Sequence, residues 1–255
     1  ADQRELIATS QWKIGPLRLP HPKYLGPVLI AWGITLLVMF YQKDLGSSLL
    51  FFGLFLVMIW VATQRTSFLV IGGGLFAAGA VFAWRILDHV KVRVDIWLDP
   101  WKTPSGDGYQ IIQGMFAMAF GGLTGTGLGR GGDTRIPAAE NDFIFAIIGE
   151  EMGLIGALVV IVLFIATAMV MIRIAAKCTN LYSRMVVLGV MLWITLQALI
   201  NIAVVLTLLP VLGVPLPLIS QGGSSIIAIL AGLGIVLGIE RENHLNPGRA
   251  TRARR

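Results

Sequence analysis

The chain has 255 residues, of which 56% are hydrophobic and 13% are charged, and its mean hydropathy is +0.78. That balance excludes an ordinary soluble domain and indicates an integral membrane protein. The net charge of +6 does not indicate nucleic acid as a partner, because the basic residues lie between apolar segments and at the C-terminus.

Six apolar segments are predicted to cross the membrane, at about 24–41, 45–62, 67–87, 153–174, 184–209 and 223–240. Their lengths suit a bilayer core, which takes roughly 20 helical residues to cross. The first two segments are separated by Gln42-Lys43-Asp44, which we interpret as the turn of a tight helical hairpin. The predicted class is all-α, a polytopic membrane protein with a single membrane domain over residues 1–255.

The distribution of Lys and Arg predicts that both ends of the chain are cytoplasmic. The tail 241–255 carries five arginines, and the short link 175–183 is basic and flanked by arginines. The long loop 88–152 is then extracytoplasmic, and it holds nine of the fourteen acidic residues. Within this loop, the apolar stretch from Tyr109 to Phe120 is too short to span and predicts an interfacial or re-entrant helix.

A second irregular region lies between the last two predicted spans. Residues 210–225 are interrupted by prolines and glycines. Irregular backbone at membrane depth is tolerated only against protein or a wet cavity. We therefore expect this region to line a cavity near the long loop.

The end of the acidic loop carries the candidate active site. Asp142 precedes a short apolar run that ends in Glu150 and Glu151. Acids at the edge of a bilayer are costly unless they are paired, solvated or used in chemistry. Two interpretations of Asp142 stay open: Asn141 or Asp142 caps a following helix, or Asp142 is a general base.

Other polar residues also have two interpretations. Gln197 and Asn201 share one helix face and either join helices or bind substrate. The pattern Gly234-x-x-x-Gly238 in the last span predicts close helix packing. The basic residues around the outer loop either balance its acids or clamp a phosphate-bearing headgroup; they are Arg85, Lys91, Arg93, Lys102, Arg130 and Arg135.

Six segments in chain order carry a family resemblance. They are Gln42-Lys-Asp44-Leu-Gly-Ser-Ser, Arg93-Val-Asp-Ile-Trp-Leu-Asp-Pro-Trp101, Gly108-Tyr-Gln-Ile-Ile-Gln113, Gly125-Thr-Gly-Leu-Gly129, Asp142-Phe-Ile-Phe-Ala-Ile-Ile-Gly-Glu-Glu151 and Leu216-Pro-Leu-Ile-Ser-Gln-Gly-Gly-Ser-Ser225. Together they resemble the SEDS family (shape, elongation, division and sporulation), whose members include RodA and FtsW. Lys43 and the stretch 62–65 lean toward RodA-like proteins of actinobacterial type. The chain resembles the last six spans of this family, so we expect about four N-terminal spans to be missing.

The resemblance implies a peptidoglycan glycosyltransferase that polymerises lipid II, with inversion, on the outer face of the bacterial cytoplasmic membrane, for cell elongation or division. It implies Asp142 as the catalytic base. The candidate substrate-binding residues are Arg93, Tyr109, Gln113, Glu150, Gln197, Ser220 and Ser224.

The same resemblance implies a single-pass penicillin-binding transpeptidase of class B as partner, among membrane lipids. A divalent cation, Mg²⁺ or Mn²⁺, is a candidate cofactor. A lipid II flippase and a non-catalytic scaffold of the cell-wall machinery are the alternatives. The sequence departs from the family at Glu140-Asn141, where a His-Thr or His-Ser pair is common, and at Gln221, where Tyr is common.

Overall fold

The computed structural model describes residues 44–131, 136, 137 and 139–245, preceded by 11–14, 17–20 and the single residues 30, 33, 34, 37 and 41. The chain divides into two compact units, Ala1–Lys91 and Val92–Arg255, and each is described by itself. The single membrane domain over residues 1–255 stays a prediction.

The first unit contains a short antiparallel hairpin near the N-terminus. Strands β1 (Gln11–Ile14) and β2 (Leu17–Pro20) pair with Gln11 opposite Pro20. The all-α prediction did not include this hairpin, because strands of four residues carry little periodic signal. Of the predicted span 24–41, the five described residues are all helical, and the rest of that span lies outside the described residues, as do Gln42 and Lys43.

Two helices follow where the sequence predicts the second and third spans. Helix α1 (Leu45–Thr63) is capped by Asp44, whose carboxylate accepts hydrogen bonds from the Ser47 N–H at 3.0 Å and the Ser47 hydroxyl at 2.6 Å. Helix α1 ends at Gln64, which adopts a left-handed conformation with φ 56°. Helix α2 (Thr66–Ile86) starts two residues later, so the two helices form a hairpin.

The second unit begins with short helices in the predicted outer loop. They are α3 (Asp88–Leu98), a 3₁₀ turn (Pro100–Lys102) and α4 (Tyr109–Gly121). Helix α4 confirms the short helix predicted for 109–120. Helix α3 was not predicted.

Three long helices complete the second unit: α5 (Ile144–Lys177), α6 (Leu181–Val205) and α7 (Gly223–Leu245). Buried apolar side chains join α4, α5 and α6 in one cluster and α5, α6 and α7 in another. Together with α1 and α2, the three long helices α5, α6 and α7 make five helices in the described part of the chain that are long and apolar enough to cross a membrane. The predicted class, a polytopic all-α membrane protein, is confirmed.

Helix α5 contains a break at Gly153, where φ is 67° and ψ is −167°. The predicted span 153–174 therefore begins at this break, and residues 144–152 form an additional apolar helix before it. The first residues of α5 pack in the core formed with α4 and α6.

The loop 122–127 replaces the hydrogen bonds that helix α5 loses at this break. On one side of the break, N–H groups of α5 donate to loop carbonyls, and on the other side, loop N–H groups donate to α5 carbonyls. The four bonds are Leu154 N to Gly122 O at 2.9 Å, Ile155 N to Leu123 O at 3.2 Å, Thr126 N to Glu150 O at 2.9 Å and Gly127 N to Glu151 O at 3.0 Å. The exchange pairs the backbone groups that the break would otherwise leave without a hydrogen bond, which a membrane protein requires.

The glycines Gly234 and Gly238 do not show the predicted close helix packing. A Cβ added at either position would meet no atom within 4 Å among the residues that the structure describes. Gly232, two residues before Gly234 in α7, is the residue that packs, with an added Cβ at 3.2 Å from the Val190 side chain. The close approach of α7 to α6 thus uses a different glycine from the predicted pair.

The break at Gly153 yields a direct test. We expect Gly153→Ala to lower the free energy of unfolding by about 1–3 kcal/mol or more, because this backbone conformation is essentially restricted to glycine. The added Cβ would also collide with the Gly125 nitrogen and the Leu123 carbonyl oxygen. Gly234→Ala is the matched control and should be neutral or slightly stabilising. Thermal unfolding of both purified variants measures the difference, and equal midpoints would contradict the proposed role of the break.

Candidate functional site

The structure places Asp142 outside the N-cap position of α5. The helix starts at Ile144, and its N-cap is Phe143, which makes no side-chain capping bond. The interpretation of Asn141 or Asp142 as the N-cap therefore does not hold. Asp142 is half-buried.

The main chain at Asp142 is held by a buried amide from α6. Asn201, 1% exposed, donates from Nδ2 to the Asp142 carbonyl oxygen at 2.8 Å and to the Val214 carbonyl oxygen at 2.7 Å. One turn earlier, the buried Gln197 donates from Nε2 to the Pro215 carbonyl oxygen at 2.9 Å. These two side chains join helix α6 to irregular backbone. Of the two interpretations of Gln197 and Asn201, these contacts favour joining parts of the fold.

Space beside the Asp142 carboxylate is provided by Gly213. A Cβ added at Gly213 would lie 3.6 Å from Asp142 Oδ2, so the carboxylate faces a position with no side chain. Gly213 also has φ 70°, which side chains rarely adopt. A glycine at this position thus satisfies both the backbone geometry and the space around the acid.

The segment 206–222, between α6 and α7, is the irregular region on which these contacts converge. Helix α3 reaches it through two side chains one turn apart: Arg93 Nη1 donates to the Val211 carbonyl oxygen at 3.0 Å, and Trp97 Nε1 donates to the Thr207 carbonyl oxygen at 2.7 Å. The segment also meets the loop before Asp142, since Gln221 N donates to the Glu140 carbonyl oxygen at 2.8 Å. The expected proximity of this segment to the long loop is therefore observed.

The predicted serines differ in their surroundings. Ser220 is 2% exposed, and its Oγ accepts a hydrogen bond from the Leu216 N–H at 2.7 Å, so it closes a turn within the segment 206–222. Ser224 is exposed in the first turn of α7. Of the two hydroxyls, that of Ser224 is the more accessible to a substrate.

Helix α4 supplies Tyr109 and Gln113, which are half-buried and one turn apart. Between them, Gln110 donates from Nε2 to the Pro137 carbonyl oxygen at 3.0 Å. Further along α4, a Cβ added at Gly114 would lie 3.0 Å from the Phe143 ring. Helix α4 thus contacts the chain on both sides of Asp142.

Glu150 lies in a different environment from Asp142. Its side chain is 2% exposed, and Oε2 has no hydrogen-bond partner among the residues that the structure describes. Gly131 lies beside it, since a Cβ added there would be 3.5 Å from Glu150 Cδ. Glu150 belongs to the break in α5 rather than to the contacts around Asp142.

The structure therefore brings together Asp142, Arg93 and Gln197 through the segment 206–222. Four further residues of this site were not among the predicted site residues: Asn201, Trp97, Gln110 and Gly213. Asn201 and Trp97 had a sequence signal, because each lies four residues after a predicted site residue on the same helix.

The described residues do not fit a metal bound by protein ligands alone. Among them, no group of three His, Cys, Asp or Glu side chains could hold a metal ion. A divalent cation at this site therefore has no ligand set in the part of the chain that the structure describes.

Most of the chain is similar to proteins of known family. Residues 7–245 match the family profile described as cell cycle protein, FtsW/RodA/SpoVE. The chain is 42% identical over 237 residues to peptidoglycan glycosyltransferase RodA of Mycobacterium tuberculosis (strain ATCC 25618 / H37Rv), covering 93% of this chain and 50% of the relative. It is 38% identical over 239 residues to stage V sporulation protein E of Bacillus subtilis (strain 168), covering 93% of this chain and 64% of the relative. The chain thus spans about half the length of the RodA relatives that it matches.

Two solved structures are similar in fold. One is described as "Structural coordination of polymerization and crosslinking by a peptidoglycan synthase complex"; the TM-score is 0.68 and the identity 26%, over 94% of this chain and 78% of that one. The other is a mutant of the rod shape determining protein RodA of Thermus thermophilus, with a TM-score of 0.58 and 23% identity, over 94% of this chain and 75% of that one. At that identity, the second structure supports the fold alone.

The amide of Asn201 can be tested by removing it. We expect Asn201→Ala to lower the free energy of unfolding by about 1–3 kcal/mol, because it leaves the carbonyl groups of Asp142 and Val214 without a donor. Thr195→Ala is the matched control on α6, since the Thr195 hydroxyl only makes a 3.8 Å contact with Met191 Sδ. Chemical unfolding of the purified variants measures both changes in the free energy of unfolding. Equal losses in the two variants would show that the hydrogen bonds of Asn201 contribute nothing particular to stability.

Proposed function

Because this chain belongs to the cell cycle protein family of FtsW, RodA and SpoVE, we propose that it polymerises lipid II into glycan strands on the outer face of the bacterial cytoplasmic membrane. It acts in this proposal as an inverting peptidoglycan glycosyltransferase in cell elongation or division. Support for the reaction comes from the similarity to a relative named peptidoglycan glycosyltransferase RodA.

One structural observation carries the proposal. Asp142 is half-buried, its main chain is fixed by the buried Asn201, and its carboxylate lies beside Gly213, which places no side chain against it. A general base needs a fixed position and room for the group whose proton it takes. Asp142 meets both requirements, and Phe143 rather than Asp142 occupies the N-cap of α5.

The proposed reaction joins two sugars. The 4-hydroxyl of the acceptor sugar attacks the anomeric carbon of the donor, and Asp142 takes the proton of this hydroxyl. The bond from the anomeric carbon to the lipid diphosphate breaks with inversion, and the diphosphate leaves with the bonding electrons. This leaving group needs positive charge rather than a proton.

Arg93 is the proposed source of that charge. Its guanidinium has five N–H donors, and the bond from Nη1 to Val211 uses one of them while holding the side chain at the segment 206–222. A planar guanidinium can bind two phosphate oxygens at once. Tyr109, Gln113 and Ser224 remain candidates for contact with the substrate, whereas the donors of Gln197 bond to other groups of the protein. No step is assigned to a divalent cation.

We further propose a single-pass penicillin-binding transpeptidase of class B as the partner. Support comes from the similarity to a chain of a peptidoglycan synthase complex that is described as coordinating polymerization and crosslinking. Membrane lipids surround the helices in this proposal, and both ends of the chain lie on the cytoplasmic side.

The variant Asp142→Asn tests the catalytic proposal. It keeps the size of the side chain and removes the basic carboxylate. We expect the natural full-length protein with this change to fold and insert normally, and to lose about 10²–10⁴-fold in the rate of lipid II polymerisation. Glycan synthesis from purified lipid II gives the rate, and thermal unfolding checks the fold.

The control for this test is Glu140→Gln. Glu140 is an exposed acid two residues away, and its hydrogen bond with Gln221 uses the backbone carbonyl rather than the carboxylate. This variant should polymerise at the wild-type rate. Wild-type synthesis by Asp142→Asn would instead remove the catalytic assignment of Asp142, whereas no synthesis by the unchanged protein would favour the flippase or scaffold function.

The orientation in the membrane has a separate test. We expect a cysteine at Ser105, which is exposed in the outer loop, to react with an impermeant thiol reagent in intact cells. A cysteine at Tyr182, 75% exposed at the start of α6, should react only after the cells are opened. Both variants carry Cys178→Ser, because the native thiol is buried and uninformative. The reverse labelling pattern would place the site on the cytoplasmic side and contradict the proposed access to lipid II.

A further inference from the structure

A polar cavity lies where helices α5 and α7 end, away from Asp142. Its volume is about 170 Å³, and it is lined by Ile174, Lys177, Glu240, Asn243 and His244. All five residues belong to the last turns of these two helices. None of these five residues takes part in the contacts described above at Asp142 or at the break in α5.

The two helix ends are joined beneath this cavity. Asn243 Nδ2 donates to Cys178 Sγ at 3.4 Å, and Cys178 Sγ donates to the Ile174 carbonyl oxygen at 3.4 Å. Ile174 is 5% exposed and Cys178 is 9% exposed. Two of the residues that line the cavity, Ile174 and Asn243, thus take part in a packed contact that joins the ends of α5 and α7.

Charges of both signs surround the cavity. Lys177 carries a positive charge and Glu240 a negative one, while His244 Nε2 lies 4.0 Å from Glu240 Oε1. A pair at this distance with an exposed His side chain contributes little by itself. The Glu240 carboxylate therefore stays available for a ligand.

This arrangement favours a ligand that carries both charges. A simple anion would meet the Glu240 carboxylate and the negative ends of two helix dipoles. A simple cation would meet Lys177. A phosphate joined to a primary ammonium satisfies both: the phosphate contacts Lys177 and His244, and the ammonium donates to Glu240 and the terminal helix carbonyls.

The surface next to the cavity is apolar. Val170, four residues before Ile174 on α5, and Leu237, three residues before Glu240 on α7, share helix faces with the cavity lining and are 52% and 63% exposed. These residues belong to helices long and apolar enough to cross a membrane, so this surface suits acyl chains. We propose that the cavity binds the headgroup of a phosphatidylethanolamine-type lipid in the leaflet where α5 and α7 end.

The proposal predicts selectivity among phospholipids. A choline headgroup has no N–H to donate to Glu240 and is bulkier, and a glycerol headgroup has no positive charge. In native mass spectrometry of the natural full-length protein, we expect phosphatidylethanolamine to bind at least about fivefold more tightly than phosphatidylcholine or phosphatidylglycerol of the same chain length. Equal retention of the three lipids would overturn the proposal.

Two variants identify the groups responsible. Glu240→Gln should remove the preference for phosphatidylethanolamine over phosphatidylglycerol, and Lys177→Gln should weaken the binding of both lipids. The matched controls are Glu242→Gln and Arg173→Gln, which change exposed charges on the same two helices outside the cavity lining. Identical effects of Glu240→Gln and Glu242→Gln would show a general charge effect and contradict a site.

Soluble phosphoethanolamine distinguishes a lipid site from a site for a free metabolite. Because buried acyl chains supply much of the affinity of a lipid, we expect soluble phosphoethanolamine not to displace the bound lipid at equal concentration. Displacement at equal concentration would mean that the cavity takes a soluble ligand and that the lipid assignment is wrong.

Discussion

The pairing of main-chain hydrogen-bonding groups in irregular backbone constrains the second unit more than any other interaction. Its two irregular regions are the break in α5 at Gly153 and the segment 206–222. In a membrane protein, neither can rely on water to pair its N–H and C=O groups. The break is paired by the loop 122–127, and the segment 206–222 is paired by side chains from α3 and α6. Both regions are therefore fixed by residues distant in sequence.

This constraint explains why polar side chains that could bind a substrate instead donate hydrogen bonds to the backbone of the protein. Arg93, Gln197 and Asn201 each donate to a carbonyl group of the segment 206–222. Asn201 adds the carbonyl of Asp142, so a single buried amide fixes the candidate base and the segment facing it together. The site is consequently held by helix side chains, and the position of its carboxylate does not depend on a flexible loop. Arg93 still has free donors by its chemistry, so scaffold and substrate roles are compatible in one side chain.

The elements that could be predicted from sequence are those whose signal is local. Long apolar runs indicate α1, α2, α6 and α7, and the short apolar run after Gly108 indicates α4. Helix α3 has no such signal, because Val90, Val92 and Val94 alternate with polar residues as in a strand. The start of α5 was misjudged at Asp142 because its N-cap, Phe143, is set by packing against Gly114 and not by a capping side chain. The break at Gly153 depends on a loop about 30 residues earlier in the chain, and no local pattern reports such a contact. In the same way, Asp142 and Arg93 were found from residue type and motif, whereas their common contact with the segment 206–222 required the structure.

Two carboxylates flank the first part of α5, and their surroundings separate their roles. A general base must approach the hydroxyl whose proton it takes to within hydrogen-bond distance, about 2.6–3.2 Å. Glu150 is 2% exposed, and the loop that pairs the break is bonded to its backbone carbonyl, so a sugar hydroxyl could reach its carboxylate only if neighbouring chain moved away. Moving the loop would break the hydrogen bonds that pair the backbone of α5 at Gly153. Asp142 is half-buried and lies beside a glycine, so a hydroxyl can approach its carboxylate more readily than that of Glu150. Of the two acids, Asp142 is therefore the one whose position suits proton transfer, and Glu150 is part of the structure that keeps α5 broken next to it.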